Sequence, residues 1–95
     1  QVMVGALIQP EASIGENAVV NTNSSIDHGS ILEANVWVSP GVTVCGDVKI
    51  GRDSYISAGA IILQGVTIRP GTVVPAGTVV KAGKSDSSAV GVSDE

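Results

Sequence analysis

The chain repeats itself every six residues, and no other property limits its possible folds so strongly. Stepping by six from Val2 gives Ile8, Ile14, Val20, Ile26, Leu32, Val38 and Val44, and the series runs on through Ile50, Ile56, Ile62, Ile68 and Val74 to Val80. Every member is a branched aliphatic. Three residues after each stands Gly, Asn or Asp, from Gly5 to Gly83, and Glu11 is the sole exception. Four residues after each stands a small or β-branched residue, as at Ala6, Ser24, Ser30 and Val48, until Lys84 ends the series.

The second column explains the other two. Gly accepts positive φ freely, and Asn and Asp accept it more readily than other residues. A corner needing that conformation therefore recurs every six residues. The aliphatic column points inward from a short strand, and the small column fits the crowded corner. Three sides close an 18-residue triangular coil. Successive coils stack as parallel strands about 4.8 Å apart. The predicted class is all-β, a three-sided parallel β-helix. A helix would not carry a Gly, Asn or Asp in every sixth place. No hexad is interrupted between Gln1 and Gly83, so residues 1–83 form one domain, and the polar stretch 84–95 reads as a C-terminal tail. The repeat is already in phase at Gln1, which predicts further coils or another domain upstream.

Composition fits a narrow stacked core. Hydrophobic residues make up 43% of the chain, yet there is one Trp, one Tyr and no Phe, so Val, Ile and Ala must fill the interior. The net charge of −4 argues against a nucleic-acid surface. A single Cys rules out an internal disulfide framework or a Cys-rich metal site. Neither a membrane span nor a signal segment is visible, so a cytoplasmic location is expected.

Residues 18 apart become stacked neighbours. Trp37 then lies beside Tyr55 on the outside, and Asp27 beside Cys45. His28, the one histidine, lies between Pro10 and Gly46. Gly46 leaves a space beside the imidazole for a thin ligand. Asn17, Asn23, Asn35, Asp47 and Asp53 fall in the corner column and are read as turn formers.

The phrases Val4-Gly-Ala-Leu-Ile-Gln-Pro-Glu-Ala-Ser-Ile-Gly15, Asn21-Thr22, Ile26-Asp-His28, Val38-Ser-Pro-Gly41 and Gly46-Asp-Val-Lys-Ile-Gly51 carry a resemblance. They are similar to the C-terminal domain of bacterial sugar O- and N-acetyltransferases. That group includes sialic acid O-acetyltransferases and N-acetyltransferases of nucleotide-linked amino sugars. The resemblance implies a left-handed helix and a homotrimer with acetyl-CoA in the cleft between neighbouring prisms. It implies a small-molecule sugar acceptor and His28 as general base, a role imidazole suits because it titrates near neutrality. It places Trp37, Ala58 and Ala76 against acetyl-CoA, and no metal. Two positions depart from the family: Gly29 stands where an acidic residue is frequent, and Trp37 where a histidine is. Asp27 is the candidate orienting carboxylate, or else a solvated one. Asn21 is a candidate substrate contact, or else a hydrogen-bonded stack along the coil. The sequence leaves O- or N-acetylation open. A rival reading is a non-catalytic trimerisation or scaffold module. A zinc-dependent γ-class carbonic anhydrase, built on the same prism, would need three histidines per site, and this chain has one.

Overall fold

A computed structural model of the chain describes residues 1–81 and the backbone of Val92–Ser93. The expected boundary at Gly83 and the rest of the expected tail lie outside the described residues. The strands are two residues long. In chain order they are β1 (Leu7–Ile8), β2 (Ser13–Ile14), β3 (Val19–Val20), β4 (Ser25–Ile26) and β5 (Ile31–Leu32). Then come β6 (Trp37–Val38), β7 (Thr43–Val44), β8 (Lys49–Ile50), β9 (Tyr55–Ile56) and β10 (Ile61–Ile62). The last are β11 (Thr67–Ile68), β12 (Val73–Val74), β13 (Val79–Val80) and β14 (Val92–Ser93).

Every third strand joins the same sheet, which makes a prism. Face I has the order β1-β4-β7-β10-β13, face II β14-β11-β8-β5-β2, and face III β12-β9-β6-β3. The repeat sets the register: Leu7 pairs with Ser25 and Ser25 with Thr43, always in parallel. Among the described residues the one antiparallel pairing is that of β14, whose Val92 and Ser93 lie opposite Ile68 and Thr67. The sequence reading had no strand there, because residues 84–95 carry no period.

Each strand turns its first residue outward and its second inward. The aliphatic column from Val20 to Val80 is buried, and Ala18, Val36, Val42, Val48, Ala60 and Val66 fill the corners between its layers. At the first coil Ile8 and Ile14 are only partly covered. The corner column behaves as its residue types require. Every position from Gly5 to Gly77 has positive φ, including Asn17, Asn23, Asn35, Asp47 and Asp53. Glu11 obeys the backbone although it breaks the residue rule, with φ 66°.

Buried serines tie one coil to the next. Ser24 Oγ donates to the Ser39 carbonyl at 2.6 Å and accepts from Val42 N–H at 3.1 Å. Ser30 repeats this with the Cys45 carbonyl at 2.6 Å and Val48 N–H at 3.1 Å. Ser54 repeats it with the Arg69 carbonyl at 3.1 Å and Thr72 N–H at 3.2 Å. Where the preceding coil offers Val in place of Ser, the N–H turns back to its own corner. Ala60 then donates to Ser57 at 3.3 Å, and Val66 to Leu63 at 3.4 Å. A corner serine therefore satisfies a backbone donor that would otherwise be poorly bonded inside the core.

Candidate active site

His28 sits on the corner that leads from face I to face II, in the turn Asp27-His28-Gly29-Ser30 between β4 and β5. The turn's backbone is well anchored. Gly29 supplies the positive φ of 75°. Asp27 Oδ1 accepts from the backbone N–H of His28 at 2.7 Å. The His28 carbonyl accepts from Asp47 N–H, one coil on, at 3.0 Å. Ser30 fixes the turn's end through the bonds just described.

The imidazole is held differently. It is 62% exposed and, among the described residues, bonds to no main-chain group; its Nε2 lies 3.1 Å from Glu11 Oε1. Glu11 belongs to the preceding coil, on the same corner. The ring thus leans back toward Glu11, away from Gly46. On that far side there is room. A Cβ built on Gly46 would meet only the His28 carbonyl oxygen, at 3.4 Å.

Gly29 has carboxylates on both sides, Glu11 before it and Asp47 after it in the corner column. A Cβ on Gly29 would collide with Asp47 Oδ1. The positive φ of 75° at position 29 favours Gly, and an acidic side chain there would stand between the carboxylates of Glu11 and Asp47.

The other expected site residues lie elsewhere on the prism. Asn21 is on the corner between faces III and I, and its Nδ2 donates to the Val38 carbonyl at 3.0 Å, so its amide group serves the coil. Ala58 and Ala76 share that corner, one coil apart, and both are exposed. Trp37 projects from face III and stacks on Tyr55, with ring centroids 6.3 Å apart and planes at 3°. With Val19 below and Val73 above, these rings make an apolar ladder along face III. Within one chain, His28 and Asp27 are brought together, while Trp37, Asn21, Ala58 and Ala76 gather around a different corner.

Glu11 was not among the sequence-derived site residues. Its signal was in plain view, as the one breach in the Gly/Asn/Asp column. Left-handed φ costs a residue such as Glu about 1–2 kcal/mol. A pair as exposed as Glu11 and His28 returns only about 0–1 kcal/mol. Fold stability alone does not select Glu at this place.

Two families match. One, described as bacterial transferase hexapeptide (six repeats), matches residues 29–64, and one described as hexapeptide repeat of succinyl-transferase matches residues 47–82. Together the two matches run from residue 29 to residue 82 of this chain. Among solved structures it is similar to the acetyltransferase domain of PglB from Neisseria gonorrhoeae, with 31% identity and a TM-score of 0.72 over 85% of this chain and 49% of that one. It is also similar to a histidine-to-asparagine mutant of perosamine N-acetyltransferase from Caulobacter crescentus in complex with CoA and GDP-perosamine. There the identity is 27% and the TM-score 0.58, over 82% of this chain and 46% of that one. PerB from the same organism, also with CoA and GDP-perosamine, gives 25% identity and a TM-score of 0.53 over 82% and 46%. The prism is thus the left-handed β-helix found in sugar acetyltransferases. The chain spans about half the length of these solved structures. No curated protein sequence matches it significantly.

Proposed function

We propose that the chain is the catalytic prism of an acetyl-CoA-dependent sugar acetyltransferase, with His28 as general base toward the acceptor's amine or hydroxyl. The observation that carries this reading is an exposed imidazole held by Glu11, one coil from a glycine at position 46, on the fold of sugar acetyltransferases. CoA and a nucleotide-linked sugar are bound in two of the similar structures, which supports that pair of ligands here.

Acetyl-CoA lies against Trp37, Ala58 and Ala76 in a cleft between copies of a homotrimer. Support comes from the placement of these residues. They flank a corner other than that of His28, so one elongated ligand touching both corners spans two prisms. The exposed aromatic ladder of face III is a surface that a second copy would cover. Asp27 contributes by holding the turn, and Asn21 offers its amide oxygen to the acceptor.

Calorimetric titration with acetyl-CoA should give specific binding in the micromolar range. Thiol release from acetyl-CoA, with GDP-perosamine as amine acceptor or sialic acid as hydroxyl acceptor, should fall about 10²–10⁴-fold in His28→Ala. Binding and melting temperature should not change in that variant. A chain that binds no acetyl-CoA would be a scaffold and not an enzyme.

A further inference from the structure

The corner of His28 holds three carboxylates, and they do different things. Asp27 is engaged with the backbone N–H of His28. Asp47 lies against Gly29. Among the described residues Glu11 alone reaches the ring, with Oε1 3.1 Å from Nε2. Glu11 does so from a backbone conformation that every other described position of its column assigns to Gly, Asn or Asp. Asn or Gly would ease the turn but could not reach the imidazole. The strain and the contact belong to one residue, and strained backbone is concentrated where function requires it.

We propose that Glu11 is a positioning residue for His28: across the coil boundary it fixes the imidazole's orientation and protonation, leaving Nδ1 as the base. This rests on the reading of His28 as general base. An ionised carboxylate can only accept hydrogen bonds, so the nitrogen facing it carries the proton. In the neutral ring the lone pair then resides on Nδ1. As the acceptor's N–H or O–H attacks the acetyl carbonyl carbon, its proton passes to Nδ1 and the new C–N or C–O bond forms. The C–S bond breaks, and the departing CoA thiolate takes the proton back from Nδ1. Glu11 remains ionised throughout. It acts by orientation: it holds the ring on the Glu11 side and sets which nitrogen carries the proton, since at 73% exposure its charge is screened by water.

The test uses three variants of the full chain: Glu11→Gln, neutral and of equal length; Glu11→Asn, which restores the column; and Glu11→Asp, which keeps the charge. In the wild type, NMR should show a contact between the single imidazole and the Glu11 side-chain methylenes, with an ordered ring in carbon relaxation. Gln and Asn should loosen the ring. They should also lower kcat for acetyl-CoA with GDP-perosamine or sialic acid by about 10–100-fold, the range for groups that orient a functional imidazole. KM for acetyl-CoA should stay constant, and Asp, as short as Asn and equally unable to reach the ring, should lose activity as Asn does. The melting temperature of Glu11→Asn should hold or rise, whereas a merely structural Glu11 would make it fall. Full activity in Glu11→Asn, or a ring equally ordered in that variant, overturns the proposal while leaving His28 as base. A wild-type chain that binds no acetyl-CoA overturns the enzymatic reading and the role of Glu11 with it.

Discussion

Two corners of the prism are made from the same hexad and are used in opposite ways. At the corner between faces II and III, polar groups serve the next coil or a neighbouring side chain. Glu33 Oε1 accepts from Arg52 N–H at 3.0 Å while Oε2 lies 3.6 Å from Lys49 Nζ. Thr72 Oγ1 donates to the Arg69 carbonyl at 2.6 Å, beside the Ser54 bonds. Asn17, Asn35, Asp53 and Gly71 all keep the turn rule. At the corner between faces I and II, Ser30 does the same structural work, but the rule fails at Glu11 and an imidazole stands free of the main chain. The scaffold is common to both corners, and the proposed chemistry falls to side chains that the scaffold does not use.

Glycines test that contrast most sharply. Gly46 and Gly51 both lack positive φ, so neither is needed for its backbone conformation. A Cβ at Gly46 faces open space beyond the His28 carbonyl, whereas one at Gly51 would collide with Pro70 N. Gly46→Leu should therefore fill the space beside His28 and reduce acetyl transfer on the order of 10²-fold, with melting unchanged. Gly51→Ala should do the reverse. Overpacking against backbone should lower stability by about 3 kcal/mol, read by chemical denaturation, and the protein that stays folded should keep its turnover. If Gly46→Leu unfolds the chain, the gap is packing and not a site.

The serines sharpen the same contrast at smaller scale. Ser30→Ala and Ser54→Ala each remove a hydroxyl that serves one carbonyl and one N–H of the next coil. Ser30→Ala should cost about 1.5 kcal/mol, and Ser54→Ala somewhat less, because Thr72 Oγ1 continues to serve the Arg69 carbonyl. A much larger loss at Ser30 would mean that the His28 turn leans on it in a way the Ser54 turn does not.

The columns were legible in the sequence because each is a steric demand repeated at every corner. A wrong residue at Ile50 or Val44 would sit in the core, so none appears. Pairings across coils followed from the same count, and Trp37 on Tyr55 is the clearest instance. Strand β14 was not legible, because an antiparallel return at Val92–Ser93 obeys no period. At the site, the sequence pointed to His28 and to the room beside Gly46. It pointed to Asp27 as the carboxylate through adjacency along the chain. Adjacency in space is counted across the coil, and that count favours Glu11. Asp27 and His28 are neighbours in one turn, yet the Asp27 carboxylate meets the backbone N–H and not the ring. Glu11 was hard to weigh from the sequence, because an outward side chain one coil away carries no hydrophobic signature.

The smallest expected effect is also the strictest test of the comparison. Lys49 pairs with half-buried Glu33 at 3.6 Å on the structural side, and exposed His28 with exposed Glu11 at 3.1 Å at the proposed site. Water screens both, so neither should stabilise the fold by more than about 0–1 kcal/mol. Lys49→Ala should shift the unfolding midpoint almost imperceptibly and leave kcat alone, since Glu33 keeps its bond to Arg52 N–H. Glu11→Gln should be as silent in unfolding and yet slow the transfer. Equal silence in both assays would reduce the Glu11 pair to a surface contact of the Lys49 kind. A stability loss at Lys49 well beyond the screened value would show that coil edges depend on such pairs, and the strain at Glu11 would then have a structural explanation.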